Sequence, residues 1–196
     1  LVPLDWTRLQ PRLGQPVAVP HYRGQPAPLN WGATLLEHGE WLYIYATRDF
    51  GTRKEVLVAR SPARRPDDFG NWQFFDGQDW TSDVDLARPI LGEASNEFSV
   101  YARGKEFRLL TQVGDEIRLY RGQRPEGPYL ESVVLYKIGD TSTPGVLTYN
   151  AKAHPYTGDP MLITYNRNAF PPELVMKTAD FYRPRCLRLH GDPWLP

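Results

Sequence analysis

Glu97 sits between Asn96 and Phe98 in the segment SNEFSV, and a carboxyl group in partly apolar surroundings has a raised pKa suited to a general acid. An ion pair with Lys152 or an arginine is the structural alternative for the same side chain. Asn150, Lys152 and His154 alternate along YNAKAH and so point to one side of a strand. There a cation and an imidazole could bind a substrate hydroxyl, orient a water or ligate an ion such as calcium near His154, which is the one cofactor expectation. Asp49, closing YIYATRD, is either a second carboxylate or a turn former. Glu97, His154 and Asp49 are therefore the catalytic candidates. Trp31, Tyr149 and Tyr165, together with Trp80, offer apolar platforms for the CH faces of sugars, while Asn30, Asn96, Asn150 and Lys152 offer polar contacts. The acidic run Asp76, Asp79, Asp83 and Asp85 has no regular calcium-loop spacing and reads as a solvated loop.

The elements that must bring these residues together are strands. Helical periodicity is nearly absent, and short period-two segments rich in Val, Ile, Tyr, Phe and Trp recur between Gly, Pro, Asn and Asp. Three units are self-similar: NWGATLLEHGEWLYIYA, NEFSVYARGKEFRLL and NAKAHPYTGDPMLITY. The offset from the opening Asn to the turn Gly is nine residues for Asn30 to Gly39 and eight for both Asn96 to Gly104 and Asn150 to Gly158. Third strands are expected at EVLVAR, EIRLYR and ELVMKT, and fourth strands at NWQFFDG, ESVVLYK and RCLRLH. The pattern predicts an all-β chain of four-stranded antiparallel β-propeller blades over 30–90, 96–140 and 148–190, after an irregular lead segment, 1–29. A β-sandwich with coincidental spacing is the rival. In a propeller the innermost strand of each blade lines the central channel, so Asn30, Glu97, Asn150 and His154 are expected around one polar pocket.

Composition limits the function classes. In 196 residues, 23 Lys and Arg balance 23 Asp and Glu, which argues against an electrostatic nucleic-acid or anionic-membrane binder. No apolar run approaches the roughly 18 residues of a membrane span. A single cysteine, Cys186, excludes an internal disulfide framework; its alternating setting reads as a buried structural thiol. The start, LVPLDWTRLQP, lacks a signal-peptide layout and reads as a trimmed end. No Gly-rich phosphate loop, zinc pattern or Gly-x-Ser-x-Gly elbow is present.

The run NEFSVYARGKEFRLL followed by LYRGQRPEGPY resembles a blade of the five-bladed furanosidase propellers of the glycoside hydrolase family 43 type. NWGATLLEHGEWLYIYATRD, SNEFSV, YNAKAHP, LITYN and YRPR are closer to actinobacterial secreted domains of unknown function related to endo-D-arabinanases. The resemblance covers roughly residues 28 to 190. It implies Glu97 as the general acid, His154 as a channel histidine near an ion or water, and an extracellular setting. It fails at Asn30 to Ala33, where that type carries a carboxylate, and it implies that the blade with the base Asp precedes residue 1. The expectation is a glycoside hydrolase acting on a furanose-containing, arabinan-type polysaccharide, with the missing blades supplied by a complementing chain, a removed segment or self-association. A non-catalytic carbohydrate-binding propeller is the alternative, and a protein-interaction propeller a third class.

Overall fold

Aromatic and β-branched residues in runs too short for helices build most of the described residues into hairpins. The computed structural model describes residues 4–5, 7, 10–11, 18–21, 27–139 and 144–194; much of the lead segment lies outside them. A minimal ladder of β1 (Leu4–Asp5) and β2 (Gln10–Pro11) comes first. The first large sheet holds β3 (Leu29–His38), β4 (Trp41–Asp49), β5 (Lys54–Pro62), β6 (Gln73–Phe75) and β7 (Trp80–Thr81) in that order. The second holds β8 (Phe98–Arg103), β9 (Glu106–Val113), β10 (Glu116–Gly122) and β11 (Glu131–Lys137), and the third β12 (Val146–His154), β13 (Met161–Ala169) and β14 (Pro184–Leu189). All pairings are antiparallel between chain neighbours, as hairpin connections require. The turns that open the first two sheets need left-handed backbone, and Gly39 (φ 62°) and Gly104 (φ 63°) supply it.

Burial follows position in the stack of sheets. β4 and β5 are buried on both faces along most of their length, whereas β11 is largely exposed. One apolar layer, with Tyr45, Val58, Phe98 and Leu109, lies between the first and second sheets; a second, with Leu110, Ile117, Met161 and Ile163, lies between the second and third. The far side of the first sheet carries a third cluster around Ile44, Leu57, Trp72 and Phe74.

Two expectations are corrected. ELVMKT is not a strand: Pro172–Lys177 is a short helix, α1. Pro172 opens it where a missing N–H costs nothing, with Glu173 in its first turn and Lys177 in its last, matching the helix dipole. RCLRLH is consequently the third strand of its sheet, paired with β13. Cys186 is exposed instead of buried, because it lies on the side of the edge strand β14 opposite Leu187 and Leu189, which pack on the inter-sheet layer.

Candidate functional site

The first strand of each large sheet is an edge strand, and the three edges meet at Lys152. β12 bulges between Tyr149 and Lys152, with Asn150 in left-handed backbone at φ 61°, a conformation that Asn tolerates better than most residues. β3 has a matching irregularity between Trp31 and Thr34, where Gly32 takes φ 89°. The Lys152 ammonium donates to the Ala33 carbonyl of β3 and the Phe98 carbonyl of β8, both at 2.9 Å. One residue on, the Ala153 N–H donates to Ser99 Oγ at 3.0 Å. A charged donor shared by two carbonyls contributes about 1.5–3 kcal/mol per bond, so one side chain ties three sheets. Burial pushes the Lys152 pKa down, and the charge of Glu97 opposes that shift.

Glu97, immediately before β8, is half-buried. Among the described residues it forms no hydrogen bond or ion pair, and it acts on Lys152 only through its charge. The pairing of Glu97 with Lys152 is thus an influence at a distance, leaving the carboxylate uncommitted. The Asn150 side-chain oxygen is buried without a partner beside the same bulge.

The other candidates are placed differently. His154 has both ring nitrogens engaged, Nδ1 with the Tyr156 hydroxyl at 2.8 Å and Nε2 with Thr164 Oγ1 at 2.9 Å. Those neighbours are hydroxyls and do not make a cation site; among the described residues no group of three His, Cys, Asp or Glu side chains could hold a metal ion. Asp49 is a turn former: its Oδ1 accepts from the Gly51 N–H at 2.7 Å and faces Lys54 at 3.4 Å. Lys152 spends two donors on carbonyls, which makes it a structural tie before it is a sugar contact. Trp31 packs edge-on to Trp72 at 5.7 Å and donates to the Pro20 carbonyl at 2.8 Å, so it belongs to the far face of the first sheet. Asn30 and Asn96 are exposed at their strand starts. In the acidic run, Asp76 accepts from the N–H groups of Gln78 and Asp79 at 2.9 and 2.8 Å, and bonds from Asp79 and then Gln78 hold its carboxyl below the usual range.

A cleft lies elsewhere, between the second and third sheets. Its volume is about 600 Å³, and Tyr136, Thr148, Tyr165, Arg167, Arg183 and Arg185 line it. A smaller cleft of about 180 Å³ shares Arg167, Arg183 and Pro184 with it and reaches Tyr149 and Asn166. Tyr149 and Tyr165 are therefore cleft residues, as is the exposed Cys186. Sequence reasoning missed the arginines. The only signal was the run YRPR, which places two of them two residues apart at the start of an edge strand.

Three antiparallel sheets joined through their first strands, with an uncommitted carboxylate at the junction and a basic aromatic cleft alongside, define an all-β protein. The sequence matches the model of the DUF5005 family, a domain of unknown function, over residues 14–194, and the chain belongs to that family. No curated protein matches it. Among solved structures, a "putative hydrolase" from Bacteroides ovatus ATCC 8483 aligns at 24% identity and a TM-score of 0.63. The alignment covers 82% of this chain and 44% of that one, which establishes a shared fold. A chain described as "Glycoside hydrolase" aligns over 83% of this chain and 37% of its own, at 12% identity and a TM-score of 0.39, too low to define a common fold. The chain spans less than half the length of either.

Proposed function

We propose that the three large sheets are consecutive blades of a β-propeller and that the complete propeller is an extracellular glycoside hydrolase acting on a furanose-containing, arabinan-type polysaccharide. The observation that carries the reading is Glu97: a half-buried carboxylate with no bond to any described residue, next to the point where three inner strands meet. A carboxylate that the fold positions but does not use is available for proton transfer. In this reading Glu97 protonates the leaving oxygen, while a second carboxylate outside the chain activates water or attacks the anomeric carbon. The description of the fold neighbour as a hydrolase is consistent with this chemistry.

Further blades, from a complementing segment or chain, would cover the apolar groove of about 410 Å³ on the far face of the first sheet, lined by Val19, Trp31, Leu42 and Phe69 among others. One observation favours a non-catalytic sugar-binding propeller instead: Asp49, the other carboxylate candidate, is consumed by its turn. Glu97→Gln separates the readings in the full-length protein. As a hydrolase, the variant loses at least about 100-fold in turnover of arabino-oligosaccharides while its melting temperature is unchanged. Undiminished turnover removes Glu97 from the mechanism. Absence of turnover in the unmutated protein, with binding retained, selects the binding module.

A further inference from the structure

Glu97 is anchored on both sides, while nothing among the described residues bonds its carboxylate. On one side the Ser95 N–H donates to Thr111 Oγ1 at 3.0 Å, and Thr111 is fully buried on β9. On the other, Phe98 pairs with the same Thr111 across the ladder and buries its whole ring. Those anchors leave open the tilt of the peptide plane after Phe98. The Lys152 ammonium closes that freedom by donating to the Phe98 carbonyl at 2.9 Å.

Two bulges converge on this contact. Gly32 and Ala33 have no partner in the register of β3 with β4, and Asn150 and Ala151 have none in that of β12 with β13. Bulges re-aim the groups that follow them. Here one presents the Ala33 carbonyl and the other aims Lys152, and the two meet at 2.9 Å.

A tie between strands does not by itself need a charge. One residue along, Ser99 Oγ joins β8 to β12 by accepting from the Ala153 N–H at 3.0 Å, and the Gln112 amide joins β9 to β12 through the Thr148 hydroxyl at 2.8 Å. Both ties are neutral. Burying an ammonium is costlier than burying a hydroxyl or an amide, and burial pushes the Lys152 pKa down. The opposite charge that favours this cation is the uncommitted carboxylate of Glu97.

We propose that Lys152 is a positioning residue for Glu97: bonded to the Ala33 and Phe98 carbonyls, its ammonium fixes the backbone that carries Glu97 and sets a positive charge beside a carboxyl group that it leaves unbonded. The inference rests on the hydrolase reading above and deepens it, by naming what holds the acid at the reacting bond.

Ser99→Ala is the control, because it cuts the neighbouring tie between the same two strands and leaves the charge in place. In the full-length protein acting on arabino-oligosaccharides, Lys152→Met is expected to lower kcat about 10- to 100-fold, the scale of a misplaced catalytic group. KM is expected to stay unchanged, as loss of an interaction that matters only in the transition state requires. Lys152→Arg keeps the charge and the donors and is expected to recover most of kcat, while Ser99→Ala lowers the melting temperature alone. Crystal structures give a readout that needs no turnover: the Glu97 carboxylate is displaced or split between conformers in Lys152→Met, and in place in Lys152→Arg and Ser99→Ala. Where Lys152→Met does not fold, Lys152→Gln, which keeps amide donors without the charge, replaces it under the same expectations. An undisplaced carboxylate in the uncharged variant overturns the proposal, as does an equal loss of kcat in Ser99→Ala or in Lys152→Arg. A raised KM at constant kcat also overturns it and makes Lys152 a substrate contact. A displaced carboxylate in a protein whose unmutated form hydrolyses nothing supports the positioning role and overturns the hydrolase reading alone.

Discussion

The two inter-sheet layers are made of similar residues and end differently. Between the first and second sheets, Tyr45 and Tyr129 are buried to 0% and 2% exposure, and both hydroxyls donate to the Pro125 carbonyl, at 2.9 and 3.0 Å. Burial pushes both phenol pKa values up, and the ring of Phe98 meets Tyr45 edge-on at 6.3 Å. Both of these phenol hydroxyls have their partner inside the layer. Between the second and third sheets the apolar centre is comparable, but its margin is polar: Arg108 bonds Asp192 at 2.9 Å, Arg103 reaches the same carboxylate at 3.1 Å, and beyond Tyr165 the layer opens into the arginine-lined cleft. The difference teaches which contact is built for stability alone. A closed layer can only hold sheets together, whereas an open one with a cleft at its margin has room for a ligand.

The largest effect should come from the closed layer. Phe98 is fully buried, and Phe98→Ala removes a ring from a site walled by other aromatics, at a cost of about 3–5 kcal/mol. Chemical denaturation reads this as a lower midpoint with an unchanged slope. A loss under 1 kcal/mol would mean that the layer collapses around the gap, and that the contrast with the open layer is overdrawn.

Next is the ion pair at the margin of the open layer. Asp192→Ala leaves Arg108, also buried, without its main carboxylate, and stranding one member of such a pair costs about 3 kcal/mol or more. Burial raises the Asp192 pKa, but the Trp194 N–H and the Arg108 side chain more than offset this, so its folded pKa is lowered. The sign follows: the stabilisation is full above the ordinary carboxylate pKa of about 3.9 and is lost as pH falls through the lower folded value. Melting temperature between pH 5 and 2 should therefore fall more steeply in the unmutated protein than in Asp192→Ala. Parallel curves would show that the pair contributes nothing to acid lability.

A smaller effect is expected at Gly122. A Cβ built there would lie 2.9 Å from the Tyr129 ring, and that ring is locked in the closed layer, so Gly122→Ala should cost about 1–3 kcal/mol through overpacking. An unchanged melting temperature would mean that Tyr129 can move aside.

Much of this architecture was legible in the sequence, and the failures have physical reasons. Strand order in the first two sheets follows from period-two runs and turn glycines, since local pattern decides hairpins. Glu97 was legible because it directly precedes a strand start. Lys152 was legible as a polar residue on one side of β12, but not as the tie between sheets: the Asn150 bulge sets its direction, and one inserted residue changes where a strand's side chains aim. ELVMKT was misread because a six-residue segment with three apolar residues at its centre suits either structure, and Pro172 decided for the helix. The cleft was hidden because its tyrosines and arginines come from three strands in two sheets.

The smallest effect on stability is expected at Arg185, and there the two layers separate most clearly. Its side chain is 29% exposed, and its contacts to Asp180 are long. Exposed ion pairs of this quality contribute about 0–1 kcal/mol, so Arg185→Gln should shift the unfolding midpoint by no more than about 0.5 kcal/mol. Arg108 is the internal control: it also borders the open layer, yet it is 2% exposed and bonded to two carboxylates, so Arg108→Gln should cost several times as much. If both substitutions destabilise alike, the arginines at this margin serve one structural purpose and the cleft is only a seam between sheets. If Arg185→Gln leaves stability intact while Arg108→Gln does not, the margin divides into charges that hold the sheets and charges that the fold does not need. Retention of the second kind at a concave surface is what a ligand site requires.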